Sequence, residues 1–133
     1  MTRFLGKFSE PIYALLRIVA GYMFTLHGAQ KLFGVLGGQQ QEIASLMGLA
    51  GIIEFFGGLL ILVGLFASWA AFLASGQMAV AYFMAHVPQG SFLNPLGNDG
   101  EKAVLYCFLF LFIAAKGAGK WSVASALNKP SLQ

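Results

Sequence analysis

Six ionisable side chains stand within or at the ends of apolar stretches: Arg17, His27, Lys31, Glu54, His86 and Glu101. Placing a charge at the centre of a bilayer costs roughly 2.5–3.5 kcal/mol on insertion scales, so residues of this kind usually face a partner or a cavity. Arg17, Phe24, His27, Gly28 and Lys31 follow a three- and four-residue spacing that puts them on one broad side of a helix. Glu54 is the natural counter-charge for a basic group on that side, whether Lys31, His27 or, through its long fork, Arg17. In such a cluster His27 would exchange a proton or hydrogen-bond a carbonyl. Glu54 would hold its charge state, and Arg17 or Lys31 would stabilise negative charge. The chemistry suits a quinone head group or a small anion, with Phe24, Phe55, Phe56 and Tyr82 lining an apolar entrance.

Each of these residues also has a structural reading. Arg17 can snorkel to an interface and Lys31 can anchor at one. Glu54 with a basic partner can be a buried salt bridge without chemistry. Glu101 follows Asn98 by three positions, the spacing of a capping box, and His86 stands just before Pro88 at a helix end. Cys107, the single cysteine, reads as a packing residue and excludes an intrachain disulfide, a CxxC pair or a cysteine-based zinc site. His27 and His86 without a further signature do not make a haem or metal site, and no such cofactor is expected. Lys116-Gly117-Ala118-Gly119-Lys120 lacks the glycine spacing and the hydroxyl residue of a phosphate-binding loop, and no metalloprotease, EF-hand or serine-hydrolase motif occurs. The chain therefore carries no self-contained catalytic motif.

The elements that must position these residues are membrane helices. The chain is 58% hydrophobic and 10% charged, against about a quarter charged in a typical soluble domain. Its basic residues lie beside apolar blocks rather than in a run with interleaved aromatics, which excludes a nucleic-acid partner. About 20 helical residues cross ~30 Å of hydrocarbon. Four segments qualify, at about 11–34, 47–66, 69–87 and 101–118, and together they predict one all-α transmembrane four-helix bundle over residues 1–133. The second and third should form a tight hairpin through Ala67 and Ser68. The first block is too long for a secretory h-region, contains Arg17 and ends without a cleavage site.

Counting Lys and Arg near the span ends gives Arg3, Lys7, Lys116, Lys120 and Lys129 on one side against Lys31 and Lys102 on the other. Both termini should then be cytoplasmic, with Trp69 and Trp121 at the inner interface and loops 35–46 and 88–100 outside. On this placement His27, Glu54, His86 and Glu101 collect in the outer half, while Arg17 lies ~9 Å above the inner end. Packing inside lipid relies on small residues. Ala14, Gly21 and Gly28, Gly51 and Gly58, Gly57 and Gly64, and the row Ala70, Ala74, Ala81 and Ala85 predict close helix seams.

Leu16-Arg17-Ile18-Val19-Ala20-Gly21, Phe24 and His27-Gly28-Ala29-Gln30-Lys31-Leu32-Phe33-Gly34 together resemble the opening signature of the DoxX family. Glu54 with Gly57-Gly58-Leu59-Leu60 and Gly64-Leu65 is similar to its second-helix pattern. His86 with Pro88 and Gly100-Glu101 resemble the end of its third helix and the entry to its fourth. The resemblance implies a small four-helix protein of the bacterial inner membrane and carries over Arg17, His27, Lys31, Glu54, His86 and Glu101 as the matching polar positions. The family takes its name from a subunit linked to quinone-reducing thiosulfate oxidation and terminal quinol oxidase systems. The expected role is a subunit of a membrane redox or respiratory assembly, with redox-enzyme subunits or further copies of itself as partners. A non-catalytic scaffold and a small solute or proton pathway are the competing classes.

Overall fold

The computed structural model describes residues 3–133, so the first two residues of the expected unit lie outside it. Among the described residues every regular element is helical. Helix α1 runs Ser9–Phe33 and tolerates Pro11 because it falls in the first turn, where the missing N–H has no intrahelical acceptor. It stops at Gly34, whose left-handed φ of 66° lets its N–H reach the Gln30 carbonyl at 3.1 Å. Helix α2, Leu46–Val63, starts where the Ser45 hydroxyl accepts from the Gly48 N–H at 3.0 Å. It ends at Gly64, which is left-handed like Gly34. Helix α3 is Ala67–Gln89, α4 is Glu101–Lys116 and α5 is a single turn, Val123–Ala126.

Three of these helices, α1 to α3, are long and apolar enough to cross a membrane. Helix α4 has 16 residues and stops at Gly117, φ 85°, before the expected end at Ala118. The hairpin between α2 and α3 turns at Gly64, Leu65 and Phe66 rather than at Ala67 and Ser68, because Gly64 breaks the helix first and Ala67 already opens α3.

The small-residue seams are largely where their spacing put them. A Cβ on Gly21 would lie 2.5 Å from the Leu62 backbone nitrogen, one on Gly28 would overlap the Phe55 backbone, and one on Gly58 would strike Thr25. The α1 and α2 backbones therefore touch, and only hydrogen fits between them. Gly57 departs from this pattern, since a Cβ there would meet nothing within 4 Å. On α3, Ala70 and Ala74 are buried against α4, whereas Ala85 is exposed. A π-helical turn at Tyr82–His86 intervenes and rotates the row away from its neighbour. A second π turn, Ile53–Gly57, lies within α2.

Between the helices the core is aromatic and aliphatic: Phe24 meets Phe110 at 4.7 Å between ring centroids, with Ile61 and Ile113 fully buried nearby. The start of α1 and the C-terminal segment lie at one end of this bundle, where Lys116 pairs with Glu10 at 2.9 Å. There residues 117–133 fold back across the helix ends. The Tyr13 hydroxyl donates to the Gly117 carbonyl at 2.5 Å, and Phe66 N–H donates to the Leu132 carbonyl at 2.8 Å.

Candidate functional site

At the opposite end, α2, α3 and α4 spread around a cleft of about 1270 Å³. The two π turns flank it, with Glu54 in that of α2 and His86 in that of α3. One extra residue in a helical turn re-aims the side chains after it, and such turns recur at functional sites. Glu54 is 3% exposed. Lys31 Nζ lies 2.7 Å from its Oε1 and 2.5 Å from its Oε2, which identifies the basic partner that spacing left open. Gln77 Nε2 on α3 completes the shell, donating to Glu54 Oε1 at 2.9 Å.

His27 lines the same cleft, its ring edge-on to Tyr106 at 6.5 Å between centroids. His86 stacks on Tyr82 and its Nδ1 lies 3.2 Å from the Asn98 carbonyl oxygen. Glu101 lines the cleft from the start of α4, beside Lys102 and Asp99. Five of the six residues singled out by sequence, His27, Lys31, Glu54, His86 and Glu101, thus border one space.

Arg17 does not. It is fully buried and ten residues before His27 on α1, about 15 Å away along the axis. Its guanidinium donates to the carbonyls of Ile61, Leu62, Lys120 and Trp121 at 2.7–3.4 Å. Arg17 neither snorkels nor meets Glu54: it binds the carboxyl end of α2 to the C-terminal segment, because the open carbonyls at a helix end offer a cation a partner inside the bundle.

Two further expectations are corrected. The N-cap of α4 is Gly100, without a side-chain cap, so Asn98 and Glu101 form no capping box. Asn98 is instead buried in the loop before α4, donating to the Tyr82 hydroxyl and the Ser91 carbonyl and accepting from Gly100 N–H. Of the aromatics expected at an apolar entrance, Phe24 borders the cleft. Phe55 packs against Phe33 and Phe56 instead, and Tyr82 donates to the Phe92 carbonyl in the loop before α4. The apolar walls are Leu49 and Ile53 of α2 and Leu73 and Val80 of α3, which the spread of the two helices exposes.

Gln77 and Tyr106 were not among the residues singled out. Gln77 has a legible signal, a lone amide in an apolar span, where an unmatched polar group is costly. Tyr106 is one aromatic among several in Leu105-Tyr106-Cys107-Phe108, and its type alone does not distinguish it.

The DoxX sequence family matches residues 12–87, which include most of α1, all of α2 and most of α3 with four of the five cleft residues. The chain belongs to the DoxX family. Over 120 residues it is 42% identical to a protein of Haemophilus influenzae described as uncharacterized, covering 86% of this chain and 90% of that relative. No solved structure matches the chain significantly. Membership in the DoxX family, with three helices of spanning length, makes it a multi-pass membrane protein that sits in a lipid bilayer.

Proposed function

We propose that this DoxX-family protein is a subunit of a membrane redox or respiratory assembly, and that its cleft takes up the head group of a quinone from the lipid phase. The carrying observation is the cleft itself, with apolar walls on diverging helices and a floor that brings His27, Lys31 and Glu54 together. An amphiphile fits such a surface, its tail among Leu49, Ile53, Leu73 and Val80 and its head at the ionisable floor. Small anions are a poorer fit. Lys31 is already matched by Glu54, and the charged residues around the cleft are two lysines and three carboxylates.

In this reading the protein is one transmembrane unit in the bacterial inner membrane. All four long helices cross, and both termini are cytoplasmic. Arg3, Lys7, Lys116, Lys120 and Lys129 cluster at the end holding both termini, the distribution that retains a segment inside. His27 then bonds or protonates the head group, Lys31 supplies the positive charge, and Glu54 holds Lys31 in place.

The test is extraction of lipophilic small molecules from protein purified from native membranes, with the proteins that accompany it identified in the same preparation. A bound quinone, quinone-induced thermal stabilisation, and loss of complementation by His27→Ala support the reading. It fails if no quinone is carried, none stabilises the protein, and neither His27→Ala nor Glu54→Gln affects complementation. The closed Lys31–Glu54 pair favours a second reading, a scaffold whose charges only fix helix register. Under that reading, apolar replacement of both residues preserves function and a redox enzyme still co-purifies.

A further inference from the structure

The loop before α4, residues 90–100, turns three large apolar side chains outward: Phe92, Leu93 and Leu96 are 55%, 79% and 77% exposed. No ionisable side chain occurs between His86 and Asp99. The loop between α1 and α2, at the same end of the bundle, has a different surface, with Gln39, Gln40 and Glu42 exposed. Two connections of similar length thus present opposite chemistry to their surroundings.

The apolar loop also meets much of its own hydrogen-bonding need. Asn94 N–H bonds the Ser91 carbonyl, Asn98 N–H the Asn94 carbonyl and Gly100 N–H the Pro95 carbonyl. Gly97 N–H donates to the Asn94 side chain, and the Asn98 amide donates to the Ser91 carbonyl. Pro95 has no N–H to satisfy. A loop in water can leave such groups to solvent, whereas one beside lipid has to pair them internally.

Helix α3 sets the height of this loop. The Tyr82 hydroxyl donates to the Phe92 carbonyl and accepts from the Asn98 amide, and His86 Nδ1 lies 3.2 Å from the Asn98 carbonyl oxygen. Tyr82 stands about 10 Å short of the end of α3 at Gln89. The 23 residues of α3 rise about 35 Å, a little more than the ~30 Å hydrocarbon core. The loop is therefore strapped beside the last turns of α3, near the exposed Phe83 and Met84, rather than standing clear above the helix end.

We infer that this loop is an interfacial anchor, which seats Phe92, Leu93 and Leu96 at the boundary between headgroups and acyl chains in the leaflet at the cleft end. Its partner is lipid rather than protein, because its apolar surface continues that of Phe83 and Met84 on a helix of spanning length. Irregular backbone goes no deeper than this boundary, since its remaining peptide groups need water. Pro95 and Leu96 also border the cleft, so the same seat brings that edge of the cleft to the lipid. The inference requires α3 to cross the bilayer and does not depend on a quinone.

The experiment places nitroxide labels on Leu93→Cys, Leu96→Cys and Gln40→Cys, each in a Cys107→Ser background, with the purified full chain in phosphatidylcholine nanodiscs. Collision rates with oxygen, which concentrates in lipid, and with a water-soluble nickel chelate are then compared. Labels at 93 and 96 should favour oxygen and report depths of about 5–10 Å into the headgroup boundary, while the label at 40 should favour the chelate. Labels at 93 and 96 as open to the chelate as the one at 40 overturn the inference, because the loop then stands in water. Low collision with both reagents overturns it in favour of a second copy of the chain covering the loop. Leu93 and Leu96 are more than three-quarters exposed, so replacing them removes little packing, and either label alone decides the outcome.

Discussion

Lys31 and Glu54 bury unequally, with side chains 22% and 4% exposed, and that difference decides what happens when one is removed. Lys31→Met leaves a carboxylate enclosed by the bundle with only the Gln77 amide as partner. Glu54→Gln leaves an ammonium on a flexible stem that can reach toward the open side of the cleft. Breaking a buried pair from one side is worth about 3–5 kcal/mol. Lys31→Met should destabilise by about that much and Glu54→Gln by less, while the double variant should lose less than the two single losses added together. Equilibrium unfolding of the four proteins in one detergent checks this, and additive losses would mean that the pair is not coupled. Arg17 has a different electrostatic setting. Backbone carbonyls from the end of α2 and from Lys120 and Trp121 surround it, so its charge is met by peptide dipoles. Two basic residues on the same helix thus do different work: Arg17 secures one end of the molecule, while Lys31 equips the other.

Contact between α1 and α2 depends on glycines, which makes the element scale sharply sensitive to a single methyl group. Gly28→Ala would drive a Cβ into the Phe55 backbone, whereas Gly57→Ala would project into open space. Overpacking of this kind costs about 1–3 kcal/mol. Gly28→Ala should lower the melting temperature in detergent clearly and Gly57→Ala should leave it nearly unchanged. If the two variants melt alike, the close approach of α1 and α2 is not what holds them together. Helix existence was legible because long apolar blocks are a local signal, and so was the end of α1 at Gly34, whereas the stop at Gly64 was not, because that glycine was expected only to pack. The seam through Gly21, Gly28 and Gly58 was legible because its spacing is a local signal too. The two π turns were not, since nothing in Ile53-Glu54-Phe55-Phe56-Gly57 or Tyr82-Phe83-Met84-Ala85-His86 distinguishes a wider turn from an ordinary one. They decide which side of the helix faces the cleft, and so why Phe55 and Ala85 depart from their expected places. The gathering of His27, Lys31, Glu54, His86 and Glu101 could be read from the expense of charge in lipid. The separation of Arg17 required knowing how residues 117–133 return to α2.

For the whole molecule, the open question of topology turns on α4. Its 16 residues rise about 24 Å, short of a ~30 Å hydrocarbon core, yet it lies along α3 and its Phe110 and Ile113 are fully buried in the shared core. The four-span proposal rests on this embedding, because a helix so packed could stay out of the bilayer only by opening the bundle. Modest thinning of the bilayer or snorkelling of Lys102 and Lys116 at its ends accommodates the mismatch. Crossing by α4 places the C-terminal segment with the N-terminus, as the Lys116–Glu10 contact requires. In a Cys107→Ser background, cysteines placed at the exposed positions Gln40, Gln89 and Lys129 separate the arrangements. With four spans and both termini inside, a membrane-impermeant maleimide should modify Gln40→Cys and Gln89→Cys in intact cells and Lys129→Cys only after lysis. Inverted orientation would reverse that pattern. A helix α4 that failed to cross would leave Lys129→Cys labelled together with Gln89→Cys, because the positions on either side of α4 would then share one face of the membrane.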